Sequence, residues 1–257
     1  MKKSVIVACL ALGAACALAA IGFITGNGNI IDEQRDVKDF TGISSSSAAH
    51  VLISKADKYS CLVSLDSNLL PSFETKVERG ILVMGFKPGT NAQRFKKLEI
   101  KITMPEIKKI EASGASKVEL EKGFSGKELS VNLSGSSSFV AAAIYDILGL
   151  KESGSSKIDL KGKYGDIAVD VSGASRIVCE GGALGLTGEV SGSSSVDFSG
   201  CAIDDADLDV SGASGIRLGN VAKKIKADLS GASELKYEGN PTIAKSLSGA
   251  STIKRLD

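Results

Sequence analysis

From Ala112 to the C-terminus, apolar and polar positions alternate around one recurring tetrapeptide, S-G-[AS]-S. Its glycines are Gly114, Gly135, Gly154, Gly173, Gly192, Gly212, Gly231 and Gly249, spaced by 21, 19, 19, 19, 20, 19 and 18 residues. Four residues after each glycine stand Val118, Phe139, Ile158, Ile177, Val196, Ile216, Leu235 and Ile253, all apolar. Six after stand Leu120, Ala141, Leu160, Cys179, Phe198, Leu218, Tyr237 and finally Arg255, which breaks the column. Two before stand Ala112, Leu133, Glu152, Val171, Val190, Val210, Leu229 and Leu247. Between these columns lie polar residues, among them Asp170, Asp209 and Asp228 three before the glycine. Alternation of period two is the mark of a strand with one buried face.

Each repeat therefore reads as a strand, a corner at S-G-[AS]-S, a second strand and a looser return. The returns carry turn residues, as in "EKGFSGK", "KGKYGD", "EGGALG" and "EGNPT". Two short strands cannot bury their own inner face, but stacked coils can. The expected fold is all-β: a right-handed parallel β-helix with 19–20 residues per coil, its two main sheets joined by the corners. Eight coils would rise on the order of 38 Å. The corner glycine suits a bend with positive φ. The second serine has the parity of the inward columns, so its hydroxyl needs a partner, which a ladder of serines on neighbouring coils would supply.

The N-terminal third repeats less clearly. "ISSSSAAHVLIS" reads as a degenerate corner, with Ala48 in the glycine position and Leu52 in the apolar column. "YSCLVSLD", "GILVMGF" and "KLEIKITMP" read as strands, with a helical turn before Pro71. This part is expected to continue the solenoid and cap one end, because an exposed end is a sticky edge. At the other end Lys245, Lys254 and Arg255 replace apolar column residues, as in a terminal coil that resists further stacking. The organisation is a leader at 1–25, N-terminal coils and cap at 26–110, and a continuous eight-repeat body at 111–257.

Composition narrows this picture. Aromatics are 5 % of residues and Trp is absent, so the core must be aliphatic. A net charge of +1 gives no basis for nucleic-acid binding. Lys2 and Lys3 precede an uncharged apolar run and the small residues Ala17–Ala19, the pattern of an export signal. Cys16 is a lipidation candidate, although Gly13 stands where a lipoprotein signal prefers Leu. A retained helix is the third option, since Val5 to Ile24 is long enough to span a bilayer. Membrane contact is expected only through this segment. Cys61, Cys179 and Cys201 remain after it and read as buried small hydrophobes.

No residues concentrate into a recognisable catalytic motif. The chain has one histidine, His50, through which any serine triad would have to pass. The densest acidic run, "IDDADLD", places Asp205, Asp207 and Asp209 on alternate positions, a weak candidate for calcium against a solvated strand face. Tyr59, Tyr145, Tyr164 and Tyr237 are too few for an aromatic sugar platform. No cofactor, resident metal or catalytic residue is expected.

The glycine-centred repeats, joined to "GNGNIIDEQRDVKDFTGI", resemble the autotransporter-adhesin family with a head GIN domain, found in exported proteins of Bacteroidetes-type bacteria. Gly26-Asn27-Gly28-Asn29-Ile30, Arg35, Val37, Phe40 and Ile43 match its opening motif. The resemblance covers residues 26–257. It implies a right-handed β-helix related in shape to pectin lyases, and a role in adhesion; it carries over no catalytic residue. The leading expectation is thus an exported, non-enzymatic adhesin or binding module of the cell envelope, with a host or envelope glycan or protein as partner. A carbohydrate-active lyase or hydrolase and a periplasmic structural or envelope-stress protein are the alternatives.

Overall fold

The computed structural model describes residues 23–256. The leader's Lys2, Lys3, Cys16 and Ala17–Ala19 lie outside them. The N-terminal part contains β1 (Phe23–Thr25), β2 (Ile30–Arg35), β3 (Gly42–Ser45), β4 (His50–Lys55), β5 (Ser60–Asp66), β6 (Phe73–Glu78), β7 (Ile81–Phe86), β8 (Asn91–Gln93) and β9 (Leu98–Met104). The body follows as β10 (Lys109–Ala112), β11 (Lys117–Leu120), β12 (Ser125–Leu133), β13 (Ser138–Glu152), β14 (Lys157–Val171), β15 (Arg176–Val190), β16 (Ser195–Val210), β17 (Gly215–Leu229), β18 (Glu234–Gly239), β19 (Thr242–Leu247) and β20 (Thr252–Arg255).

The body is a β-solenoid of parallel coils stacked in register. The apolar column four residues past the corner runs Val118↔Phe139↔Ile158↔Ile177↔Val196↔Ile216↔Leu235↔Ile253 without a break. All of these but the terminal Ile253 are buried, and with the other inward columns they form one continuous core, mainly aliphatic but with Phe139, Phe198, Tyr145 and Tyr164 inside it, where composition alone suggested aliphatic residues throughout. Such a column is stable because every inward side chain meets its counterpart one rung above and below, about 4.8 Å away.

The returns differ from the expectation of loose turns. In the middle of the body each coil is one strand of 15 or 16 residues, β13 to β17, that bends without leaving the ladder. Lys161–Asp166 and Glu180–Gly185 stay largely paired through the bend. Gly162 and Gly181 are successive rungs there, so their chemistry serves a bend rather than a stop. Only at "EKGFSGK" and "EGNPT" does the pairing break into true turns.

The corners also correct one expectation. Ser116, Ser137, Ser156, Ser175, Ser194, Ser214 and Ser233 are buried, but their hydroxyls do not form a serine-to-serine ladder. Most donate to the carbonyl three residues back in the same corner, as Ser137 to Ser134 at 2.8 Å and Ser175 to Ser172 at 3.1 Å. A partner inside the coil is closer than the next rung, so it wins in most corners; Ser214 instead reaches the Gly192 carbonyl of the previous coil at 3.4 Å, and Ser45 and Ser116, 3.2 Å apart, are a serine pair that meets across coils.

The N-terminal part both continues and closes the stack. β3 and β4 add a parallel coil beneath β10 and β11. β2, β5 and β9 then pair antiparallel, as do β6 and β7, and cover that end. The first corner is one residue out of the expected register. Ser45↔Ala112 and His50↔Lys117 align the flanking strands, which puts Val51 and Ile53 in the core and leaves Leu52 half-buried on the other face. Ala48 nevertheless has φ +50. The turn near Pro71 is a 3-10 turn, Leu70–Ser72, that contains the proline at its start, where its missing N–H costs nothing.

Candidate binding face

The polar column three residues before each corner glycine runs along the length of the solenoid. Parallel pairing stacks one residue per coil: Ser44↔Glu111↔Asn132↔Lys151↔Asp170↔Glu189↔Asp209↔Asp228↔Ser246. These nine positions span about 38 Å along the solenoid axis. The serine that opens each corner flanks this row, and between the two runs a shallow groove. Its C-terminal stretch encloses about 500 Å³ beside Asp170, Glu189, Asp209 and Asp228, with Ser191, Ser211, Ser230 and Ser248 along its other side. Its N-terminal stretch encloses about 330 Å³ beside Ser44, Glu111, Asn132 and Lys151.

The groove is polarised. Its N-terminal half mixes an acid, an amide and a base, whereas four carboxylates stack in its C-terminal half. The Lys151 ammonium pairs with Asp170 where the two halves meet and rises above its ordinary pKa through that hydrogen bond. Beyond it, Glu189, Asp209 and Asp228 face one another across successive rungs, and like charges directly opposite cost stability. The flanking serines are partly engaged with the coil before them: Ser172 donates to the Glu152 carbonyl at 3.3 Å and Ser191 to that of Val171 at 3.4 Å. The groove thus offers hydroxyls and carboxylates at a fixed pitch to a ligand extended along it.

Asp205, Asp207 and Asp209 point outward from β16, but their neighbours separate them. Asp207 pairs with Lys226 of the next coil at 3.1 Å, and Asp205 lies opposite Lys224. Asp204 pairs with Lys223 at 2.8 Å. Only Asp209 belongs to the groove. Among the described residues no three His, Cys, Asp or Glu side chains gather around a point that could hold a metal. His50 lies on an outer face, where its Nε2 is 2.9 Å from Glu119. Glu119 is held below its usual range by hydrogen bonds first from Lys117 and then from His50. The contact of His50 is therefore an acid on the next coil.

The eight corner glycines, Gly114 to Gly249, all have φ between +68 and +81. They build the edge beside which the groove runs and offer no side chain to it. The opening motif is equally architectural. Asp66 is buried and accepts the backbone N–H of Gly28 at 2.5 Å and of Lys96 at 2.8 Å. Asn27 bonds Asn68 and Ser67, and Asn68 returns a bond to the Thr25 carbonyl. Arg35 reaches the carbonyls of Leu70 and Phe73, while Phe40 and Ile43 are in the core. β1, at the end of the apolar leader, pairs with β8 beside this clasp.

Sequence reasoning noticed Asp170, Asp209 and Asp228 only as polar spacers. Reading the same column through every repeat, with Glu111, Asn132, Lys151 and Glu189, would have exposed the row. Asp66 had no such signal, because its partners are backbone groups from two distant segments.

Comparison with known proteins places this architecture. No curated protein matches the chain. Among solved structures, a protein from Parabacteroides merdae titled a "putative adhesin" superposes with a TM-score of 0.84 at 18 % identity, covering 91 % of this chain and 99 % of that one. A "putative lipid binding protein" from Parabacteroides distasonis gives 0.80 at 21 % identity, with 92 % and 100 % covered. A "putative adhesin" from Bacteroides fragilis gives 0.69 at 21 %, with 91 % and 100 % covered. At such identities these likenesses show a shared fold. The family model described as "Putative auto-transporter adhesin, head GIN domain" matches residues 39–241, and the chain therefore belongs to that family of cell-surface or exported proteins.

Proposed function

We propose that the protein is a non-enzymatic binding module of the cell envelope that holds an extended glycan or protein segment along the groove beside its corners. The observation that carries this reading is the unbroken row from Ser44 to Ser246, one outward polar residue per coil, flanked by the corner serines. A pitch of about 4.8 Å kept over nine positions suits a polymer that makes many weak contacts, and it suits no single reacting atom. The stacked acids of the C-terminal half disfavour sulfated or sialylated chains there and favour neutral or cationic ones.

Membership of an adhesin family supports the same reading. The test is binding of the purified protein to a broad panel of glycans, mucins and matrix proteins. Retention of neutral or basic polymers, weakened by Asp209→Lys with Asp228→Lys, is expected. A panel on which nothing binds would defeat the proposal, and release of unsaturated sugars from a polysaccharide would replace it with the lyase reading.

A further inference from the structure

Cys61, Cys179 and Cys201 are free, buried thiols, and the last two lie on neighbouring coils. β15 and β16 pair in register as far as Val178↔Asp197. A bulge follows, after which Glu180 meets Gly200 and Gly181 meets Cys201. The extra residue on β16 brings Cys201 to the inner face opposite Gly181, two residues along from Cys179. The two thiols act on each other across the bulge: Cys201, and then burial, hold Cys179 protonated, whereas Cys179 lowers Cys201 against the effect of burial. Cys61 lies apart in the cap on β5, and burial pushes it up to about 12.

From this juxtaposition we propose that Cys179 and Cys201 form a disulfide between coils when the protein folds in an oxidising compartment, and that Cys61 stays a thiol. Their side chains are 1 % and 3 % exposed in the finished fold, so the reaction belongs to the stage at which the coils close. The oxidant is a disulfide of another protein or of a small thiol. The Cys201 thiolate attacks one of its sulfurs, forming a mixed disulfide and expelling one oxidant thiolate. The Cys179 thiolate then attacks the Cys201 sulfur, the Cys179–Cys201 bond forms and the second oxidant thiolate leaves. The two cysteines lose two electrons and two protons, and the oxidant is reduced to two thiols. The bond would pin the coils at the bulge, where their backbone ladder loses a rung.

The test uses the full chain, both exported by a host with an oxidising periplasm and refolded with oxidised glutathione. Each sample is denatured without reductant, alkylated and measured by intact mass and peptide mapping. Of Cys61, Cys179 and Cys201 only Cys61 should carry an alkyl group, with Cys9 and Cys16 alkylated as well wherever the leader is present, and the product is lighter by two hydrogen atoms before alkylation. Its peptides containing Cys179 and Cys201 should be joined until reductant is added. Reductant should lower the melting temperature of the parent and leave that of a Cys179→Ser, Cys201→Ser variant unchanged. Alkylation of both Cys179 and Cys201 in the two samples, or a cross-link that involves Cys61, would overturn the proposal.

Discussion

Gly173 lies directly against Gly154: a Cβ on Gly173 would stand 2.4 Å from the Gly154 carbonyl oxygen, the same oxygen that accepts the Ala174 N–H at 2.8 Å. With φ +81, Gly173 is thus required both by its backbone conformation and by the closeness of the next coil. Gly173→Ala is expected to destabilise by about 2–4 kcal/mol, and Gly173→Val by more. Gly149→Ala is the contrast. It lies within β13 with nothing near its Cβ position, so its effect should stay within about 0.5 kcal/mol of neutral. Urea unfolding of the three variants checks the ranking.

Glu152 occupies an inward position between Leu133 and Val171, 1 % exposed, and neither carboxyl oxygen has a partner. Burial pushes its pKa up to about 8. The folded value lies above the unfolded one, so the folded state holds this proton more tightly. Its contribution is intact below the unfolded pKa of about 4.5 and is lost progressively as pH rises to about 8. The loss amounts to a few kcal/mol, roughly. Glu152→Leu should stabilise the protein by about 2 kcal/mol or more at neutral pH and flatten this part of the profile. Melting temperatures of parent and variant across the pH range give the answer.

Asp66 has the opposite sign. Burial alone would raise its carboxyl, but the backbone N–H groups of Gly28, Lys96 and Lys97 outweigh burial and hold it below the usual carboxylate range. Its contribution is present above the unfolded pKa and is lost as pH falls through the lower folded value. Asp66→Ala leaves these donors unpaired and should cost about 2–3 kcal/mol. Hydrogen exchange should accelerate first at Gly28 and at Lys96 and Lys97, because they lose their acceptor.

The carboxylates of the groove are predicted to cost stability. Asp209→Asn relieves repulsion from Glu189 and Asp228 on the adjoining coils and should raise stability by about 0.5 kcal/mol at low ionic strength. The gain should shrink as salt is added. Thermal melts of the variant at two salt concentrations test this.

Much of the fold was legible because one device repeats. The glycine of S-G-[AS]-S and the columns from Val118 to Ile253 carry both the coil length and the inward face. What escaped has specific causes. Leu52 was misplaced because the first corner takes its positive φ at Ala48 without a glycine to mark the register. The returns read as turns because Gly162 and Gly181 have the same appearance whether a strand bends or stops. Most of the serine hydroxyls found partners within their own corner, a choice set by local distances that no spacing reveals. The groove was visible as a column, yet single aspartates drew attention away from the row. Asp66 and the Cys179–Cys201 contact depend on tertiary proximity, the one through backbone donors and the other through a bulge.

The most direct test of the groove as the binding face is equilibrium binding of the parent and the Asp209→Lys, Asp228→Lys variant to the polymers that the panel identifies, measured alongside their melting temperatures. Affinity for a neutral or basic ligand should fall at least tenfold in the variant while the fold stays intact. Equal affinity in two equally folded proteins would contradict the account.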